Sequence, residues 1–197
     1  MKQKEILHKM VEISSYLYEK GLVPGKSGNI SIRFKNNEHE QIAVTPSGLS
    51  LKALDENDII IVDMKGNIIY STDKKPTSEL LMHLKIYHNR DDVNAVVHTH
   101  SPIATGFSFA GEKIERIEGF GPIQVQFIPF VDYYSPGSVE LAEAVSKALK
   151  KTDTIILKDH GVVALGKNLD EASLLAEFVE ESAKTQFIKQ ILMANRL

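Results

Sequence analysis

Few stretches of this chain constrain it as much as Val96-Val97-His98-Thr99-His100-Ser101-Pro102, where an apolar run ends in two histidines one residue apart. Asn94-Ala95-Val96-Val97 reads as a buried strand, and Ser101-Pro102 reads as a helix start, with Ser101 as cap and Pro102 at the first helical position. Side chains alternate faces along a strand, so His98 and His100 point the same way, with Cα atoms ~6.5–7 Å apart, and both imidazoles can reach one ion. Either histidine taken alone is more often a packed or surface side chain than a ligand; the position at a strand end, where catalytic groups gather, is what favours the chelate.

Composition limits which ion chemistry is open. The chain has no cysteine, which rules out disulfides, thiolate–zinc sites and a cysteine nucleophile, and leaves a metal only histidine, carboxylate or water. The net charge is −3 with lysines and arginines scattered rather than striped, which speaks against nucleic acid as a partner. No window approaches the ~18–20 apolar residues of a membrane span. Met1-Lys2-Gln3-Lys4-Glu5 lacks the apolar core of a signal peptide, so a cytoplasmic location is expected. At 197 residues, 43% of them hydrophobic, the chain is expected to form a single domain over 1–197 with ample core.

Taken in order, Ile6, Met10, Ile13 and Leu17 predict an amphipathic helix from about residue 3 to Lys20, stopped by Gly21. Ile30, Ile32 and Phe34 alternate with Ser31 and Arg33 as a half-buried strand after the Gly25-Lys26-Ser27-Gly28-Asn29 loop, and Gln41 to Val44 is a second strand running into Thr45-Pro46-Ser47-Gly48. Asp58 to Asp63, a Lys65-Gly66-Asn67 turn and Ile68-Ile69-Tyr70 read as a hairpin. Pro76-Thr77-Ser78-Glu79 opens a helix with Leu80, Leu84 and Tyr87 on one stripe, where Thr77 or Ser78 can cap. Two glycine-containing loops and a hydroxyl-bearing helix start are three elements able to hold an anion through backbone N–H groups. Glu79 is either a carboxylate complementing the helix dipole or, with His83 on the same face, one half of a helical metal pair.

Beyond the histidine strand, Ile103 to Phe109 is expected to be a short helix closed by Gly111, and Ile123 to Ile128 another strand. The loop from Val131 to Gly137 carries Tyr133 and Tyr134, and Ser138 caps a helix along Leu141, Val145 and Leu149. Thr154-Ile155-Ile156-Leu157 is a buried strand leading to His160, again a histidine at a strand end. The last helix, capped by Asp170, runs to about Met193 and shows apolar residues on more than one side, among them Phe187, Ile188, Ile191 and Leu192.

Gly28-Asn29-Ile30-Ser31, Thr45-Pro46-Ser47-Gly48, Pro76-Thr77-Ser78-Glu79, His98-Thr99-His100 and Asp159-His160-Gly161, in this order, resemble the motifs of the class II aldolase/adducin-head family, most closely its fuculose-1-phosphate aldolase branch. The resemblance spans residues 5 to about 192. It implies an α/β fold of three αβα layers, with a central, mainly antiparallel sheet flanked by helices, assembled as a homotetramer with active sites at subunit interfaces. It further implies a zinc ion on His98, His100 and His160, with Glu79 as an additional ligand or as the catalytic acid/base, and no metal role for His83. Ser27, Gly28, Asn29, Thr45, Ser47, Gly48, Thr77 and Ser78 fall where such enzymes hold the phosphate of a sugar phosphate. The implied reaction is cleavage of a ketose 1-phosphate to dihydroxyacetone phosphate and a small aldehyde such as lactaldehyde.

The chain departs from the pattern where related aldolases carry a tyrosine acid: Glu118-Gly119-Phe120-Gly121 has none, and no long tail follows the final helix. Tyr133 and Tyr134 are the nearest substitutes. Ribulose-5-phosphate 4-epimerase, a sibling, usually has aspartate in place of Glu79, whereas methylthioribulose-1-phosphate dehydratase can carry glutamate. A binding protein of the adducin-head type is the alternative without chemistry, and the retained histidines and Glu79 speak against it. Schiff-base catalysis by Lys26 or Lys158 would need a desolvated lysine.

Overall fold

A computed structural model describes residues 3–71, 73–119, 123 and 125–194. The elements run α1 (Gln3–Glu19), β1 (Asn29–Asn36), β2 (His39–Val44), β3 (Ile60–Asp63), β4 (Ile68–Tyr70), α2 (Leu80–Asn89), β5 (Ala95–Thr99), α3 (Pro102–Ala110), β6 (Phe130–Val131), α4 (Val139–Ala148), β7 (Thr154–Leu157), β8 (Gly161–Gly166) and α5 (Leu169–Ala194). The strands form one sheet in the order β4-β3-β2-β1-β5-β8-β7-β6, in which only the β6–β7 pairing is parallel.

Strand alternation builds the layers. Ile30, Ile32, Ala43, Ile61, Ala95, Val97, Val162 and Ala164 pack on one side of the sheet with α1, α3 and α5. Their neighbours in sequence, Ile42, Val44, Ile60, Val62, Val96, Val163 and Leu165, pack on the other side with α2 and α4. Helices on both faces of a mainly antiparallel sheet give the expected three-layer αβα architecture.

Three local expectations are corrected. Of the strand expected over Ile123 to Ile128, Gln124 lies outside the described residues, and the described part makes only an isolated bridge, Glu115 to Phe127; regular pairing begins at β6. Alternation reports that one face is buried, not that a partner strand lies alongside. The cap of α5 is Asn168, whose Oδ1 accepts from the Glu171 N–H at 2.9 Å, and Asp170 lies in the first turn instead. Ser101 stands at the N-cap of α3 but its hydroxyl bonds Thr99 Oγ1; the α3 N–H groups of Ile103 and Ala104 are taken by the buried carboxylate of Glu180 from α5, both at 2.9 Å.

The polar face of β1 is likewise not solvated. Asn29, Ser31 and Arg33 are buried against α2, and they grip it along its length. Arg33 donates to the carbonyls of Tyr87, Arg90, Asp91 and Val93 at the helix C-terminus, where a cation suits the dipole. Ser31 reaches His83 and Tyr87 mid-helix, and Asn29 reaches Glu79 at the start. No helix among the described residues is long and apolar enough to cross a membrane.

Candidate metal centre and active site

His98 lies on the last full turn of alternation in β5, paired across the sheet with Asn29 on one side and Val163 on the other. His100 follows just past the strand end, and its N–H is anchored on the Leu22 carbonyl at 2.9 Å. His160 sits in the turn between β7 and β8, beside Asp159, whose backbone is left-handed at φ 57°. Gly161 makes this close approach possible, because a Cβ there would stand 2.1 Å from the Thr99 carbonyl oxygen and 3.2 Å from the His98 ring. Gly28, at φ 75°, does the same on the other flank, where an added Cβ would stand 2.5 Å from Val23 Cγ1 and 2.8 Å from the His98 carbonyl oxygen.

The three imidazoles converge, with ring centroids 4.8–5.0 Å apart and one nitrogen of each within 4.8 Å of the others. His98 Nδ1 faces the Val162 carbonyl at 2.9 Å, so it carries the proton and the Nε2 lone pair is presented to the cluster. Burial, then the neighbouring His98 and His160, push the His100 imidazolium down to about 3, and burial with His98 pushes that of His160 down to about 4. Both rings are therefore neutral near pH 7, as a metal ligand must be.

Glu79 is the N-cap residue of α2 and makes no cap hydrogen bond with its side chain, while its own N–H is donated to Thr77 Oγ1. The carboxylate is buried and turned to the histidines, with Oε2 3.2 Å from His98 Nε2 and Oε1 3.9 Å from His160 Nε2. Burial works to raise its pKa, yet His98, the Asn29 amide and His160 hold it well below the usual carboxylate range. The reverse holds at His98, where burial would lower the pKa and the Glu79 charge drives it upward. Glu79 Oε1, His98 Nε2 and His160 Nδ1 are buried without hydrogen-bond partners. Orphaned acceptors around three converging imidazoles are what a divalent cation would satisfy, so the donor set fits a metal. His83 lies outside this cluster and is hydrogen-bonded to Asn29 and Ser31.

The anion elements meet beside this carboxylate. The Thr45–Gly48 loop is zipped to the residues before α2 through Thr77 N–H to Thr45 O at 3.1 Å and Ser47 N–H to Lys75 O at 2.9 Å. Ser47, Gly48 and Ser78 are exposed there, while Gly28 is half-buried. The other predicted residues are engaged internally: Thr45 is fully buried on the Ile30 backbone, Ser27 Oγ donates to Pro24 O, Thr77 caps Glu79, and Asn29 bonds Glu79 and His83. Gly137 presses on Ser78, where an added Cβ would lie 2.7 Å from the Ser78 carbonyl oxygen, so the loop bearing Tyr133 and Tyr134 is seated at the same place. Of the Glu118–Gly121 stretch, Phe120 and Gly121 lie outside the described residues. Lys26 and Lys158 are exposed and lack the desolvation that Schiff-base chemistry requires.

The motifs assign no separate role in the site to Ser31, Arg33 and Tyr87, and weigh His83 only as one half of a helical metal pair. The further signal for the four together is a polar parity on β1 facing polar positions of a helix fifty residues later.

This fold and histidine centre are those of a metal-dependent lyase: the family model for the Class II Aldolase and Adducin N-terminal domain matches residues 8–187, and the chain belongs to that family. Among its relatives, the L-fuculose phosphate aldolase of Methanococcus maripaludis is 47% identical over 182 residues, covering 92% of this chain and 96% of that protein. The 3-oxo-tetronate 4-phosphate decarboxylase of Haemophilus influenzae is 34% identical over 193 residues, covering 95% of this chain and 88% of that protein. A solved L-fuculose 1-phosphate aldolase superposes with a TM-score of 0.86 at 29% identity, covering 95% of this chain and 87% of that one.

Proposed function

We propose that this protein is a zinc-dependent aldolase that reversibly cleaves a ketose 1-phosphate of the fuculose type to dihydroxyacetone phosphate and a small aldehyde such as lactaldehyde. One observation carries the reading: a buried carboxylate, Glu79, with an oxygen that has no hydrogen-bond partner, beside three converging imidazoles and next to the exposed Ser47, Gly48 and Ser78.

His98, His100 and His160 would hold the zinc, which when bound supplies Lewis-acid polarisation of the substrate's carbonyl and hydroxyl oxygens. Glu79 holds and moves the proton at C3 of dihydroxyacetone phosphate, with Oε2 fixed by Asn29 and Oε1 left to exchange the proton. Ser47, Ser78 and the backbone at Gly28 and Gly48 receive the phosphate. The aldehyde oxygen needs its own acid, and Tyr133 and Tyr134 on the loop over Ser78 are the candidates this chain offers.

The test is metal analysis coupled to a screen of sugar phosphates. Stoichiometric zinc with release of dihydroxyacetone phosphate from a ketose 1-phosphate is the expected result. Carbon dioxide from a 3-oxo-tetronate 4-phosphate, water loss from methylthioribulose 1-phosphate or epimerised ribulose 5-phosphate, without dihydroxyacetone phosphate, would overturn it.

Because Ser78 meets the phosphate and not the reacting carbons, Ser78→Ala is expected to raise KM by about 10- to 150-fold while changing kcat less, as loss of one charge-assisted hydrogen bond of about 1.5–3 kcal/mol implies. Steady-state kinetics with inorganic phosphate as competitor check this, and an unchanged KM counts against the assigned phosphate site.

The active assembly is proposed to be a homotetramer. Support comes from the end of α5, where Phe187, Ile188, Ile191, Leu192 and Met193 are all exposed. Light scattering should give four times the 22.0 kDa chain mass, and an active 22.0 kDa species would refute an obligatory interface site.

A further inference from the structure

We propose that His83 is a positioning residue for Glu79, acting through Asn29 at the end of a one-directional hydrogen-bond chain Tyr87–Ser31–His83–Asn29–Glu79. The proposal rests on the reading of Glu79 as the proton-transfer group.

Donor and acceptor bookkeeping fixes the direction. An ionised carboxylate can only accept, so the Asn29 group facing Glu79 Oε2 at 2.9 Å is its NH₂. Asn29 Oδ1 then faces His83 Nε2 at 2.5 Å, which must therefore carry the ring proton. His83 Nδ1 is left as an acceptor and takes the Ser31 hydroxyl proton at 2.7 Å. Ser31, having given its only proton, accepts from the Tyr87 phenol at 2.8 Å, closer than the Asn94 carbonyl that the phenol also faces at 3.4 Å. From Glu79 to Ser31 each step leaves one choice for the next.

Water offers no way out of this chain. Ser31, His83 and Tyr87 are 0% exposed, Asn29 5% and Glu79 4%. Burial pushes the His83 imidazolium down to about 3, so the ring is neutral and its single proton has one place. With the proton on Nδ1 instead, Asn29 would turn its amide and set an oxygen against the carboxylate. The tautomer of His83 thus decides whether Glu79 meets a donor or an acceptor. The chain ends on Oε2 and leaves Oε1 without a partner, so it aims one oxygen and keeps the other for chemistry. A chain buried only for packing would be cheaper as apolar side chains, because every polar link must be satisfied.

The experiment uses the metal-loaded protein. Nitrogen NMR of histidine-labelled protein is expected to show His83 protonated at Nε2 and bare at Nδ1. His83→Phe should keep its metal and its KM for dihydroxyacetone phosphate, while solvent-deuterium exchange at C3 falls about 10–100-fold, the range for residues one shell behind a metal site. His83→Gln, whose amide can still donate to Asn29, should recover most of that loss. A proton on His83 Nδ1, wild-type exchange in metal-replete His83→Phe, or a His83→Gln no faster than a folded His83→Phe would each overturn the proposal. If His83→Phe does not fold, Ser31→Ala takes its place, with slowed exchange expected and unchanged exchange overturning. Failure of the wild-type protein to exchange C3 at all would instead sink the aldolase reading, and the NMR result would still decide the direction of the chain.

Discussion

Replacing any one of His98, His100 or His160 with alanine is expected to strip the protein of tightly bound metal and, with it, of activity. The three rings share one small volume, each within 4.8 Å of the others through a nitrogen, and no cysteine is available to substitute. If the roughly 10–16 kcal/mol typical of a zinc site is divided over four ligands, each carries about 2.5–4 kcal/mol, or roughly 10²–10³ in affinity. Metal content after dialysis should therefore collapse in all three variants while circular dichroism stays native. His83→Ala is the control, since His83 is as buried as His98 but spends both nitrogens on Asn29 and Ser31. Retained stoichiometric metal in His160→Ala, with loss in His83→Ala, would mean that the wrong histidines have been assigned.

That contrast between two buried histidines shows where sequence reading succeeds. His98 and His160 are visible because each ends an apolar strand, and a strand end is a place a reader can locate from local pattern. The helix over Gln3–Glu19 and the Ser138 cap are legible for the same reason, since the partners lie within a few residues. The polar side of β1 looks solvated because alternation says only that Ser31 and Arg33 share a face. What covers that face is α2, and its arrival depends on the sheet order, which no local pattern contains. The Ile123–Ile128 stretch fails in the mirror sense: its alternation is real, yet β7 pairs instead with Phe130–Val131. Thr45 shows the limit for the phosphate loops, where residue type suggests a ligand contact and the fold spends the hydroxyl on Ile30. Hydroxyl-rich turns reveal that an anion could be held, but not which hydroxyls remain after the backbone has taken its share.

Glu79→Gln is expected to leave fold and metal largely intact and to lower kcat by roughly 10²–10⁴-fold, the range for removing a general acid or base. The amide has nearly the shape of the carboxylate, its oxygen can still accept from Asn29 Nδ2, and the three histidines remain. It cannot take up a proton. A carboxylate that merely capped α2 would behave otherwise, because an amide caps too and loss of a cap costs only about 1 kcal/mol. The geometry already weighs against that role, since the Glu79 side chain makes no cap hydrogen bond and its carboxylate faces His98 and His160. The decisive measurement is paired: zinc content, and deuterium incorporation at C3 of dihydroxyacetone phosphate in heavy water. That exchange requires the base but no aldehyde, so it separates Glu79 from the acid that serves the departing aldehyde. It should fall in step with kcat in the variant. Exchange at the wild-type rate in zinc-replete Glu79→Gln would remove Glu79 from the proton path and leave it a neighbour of the metal alone.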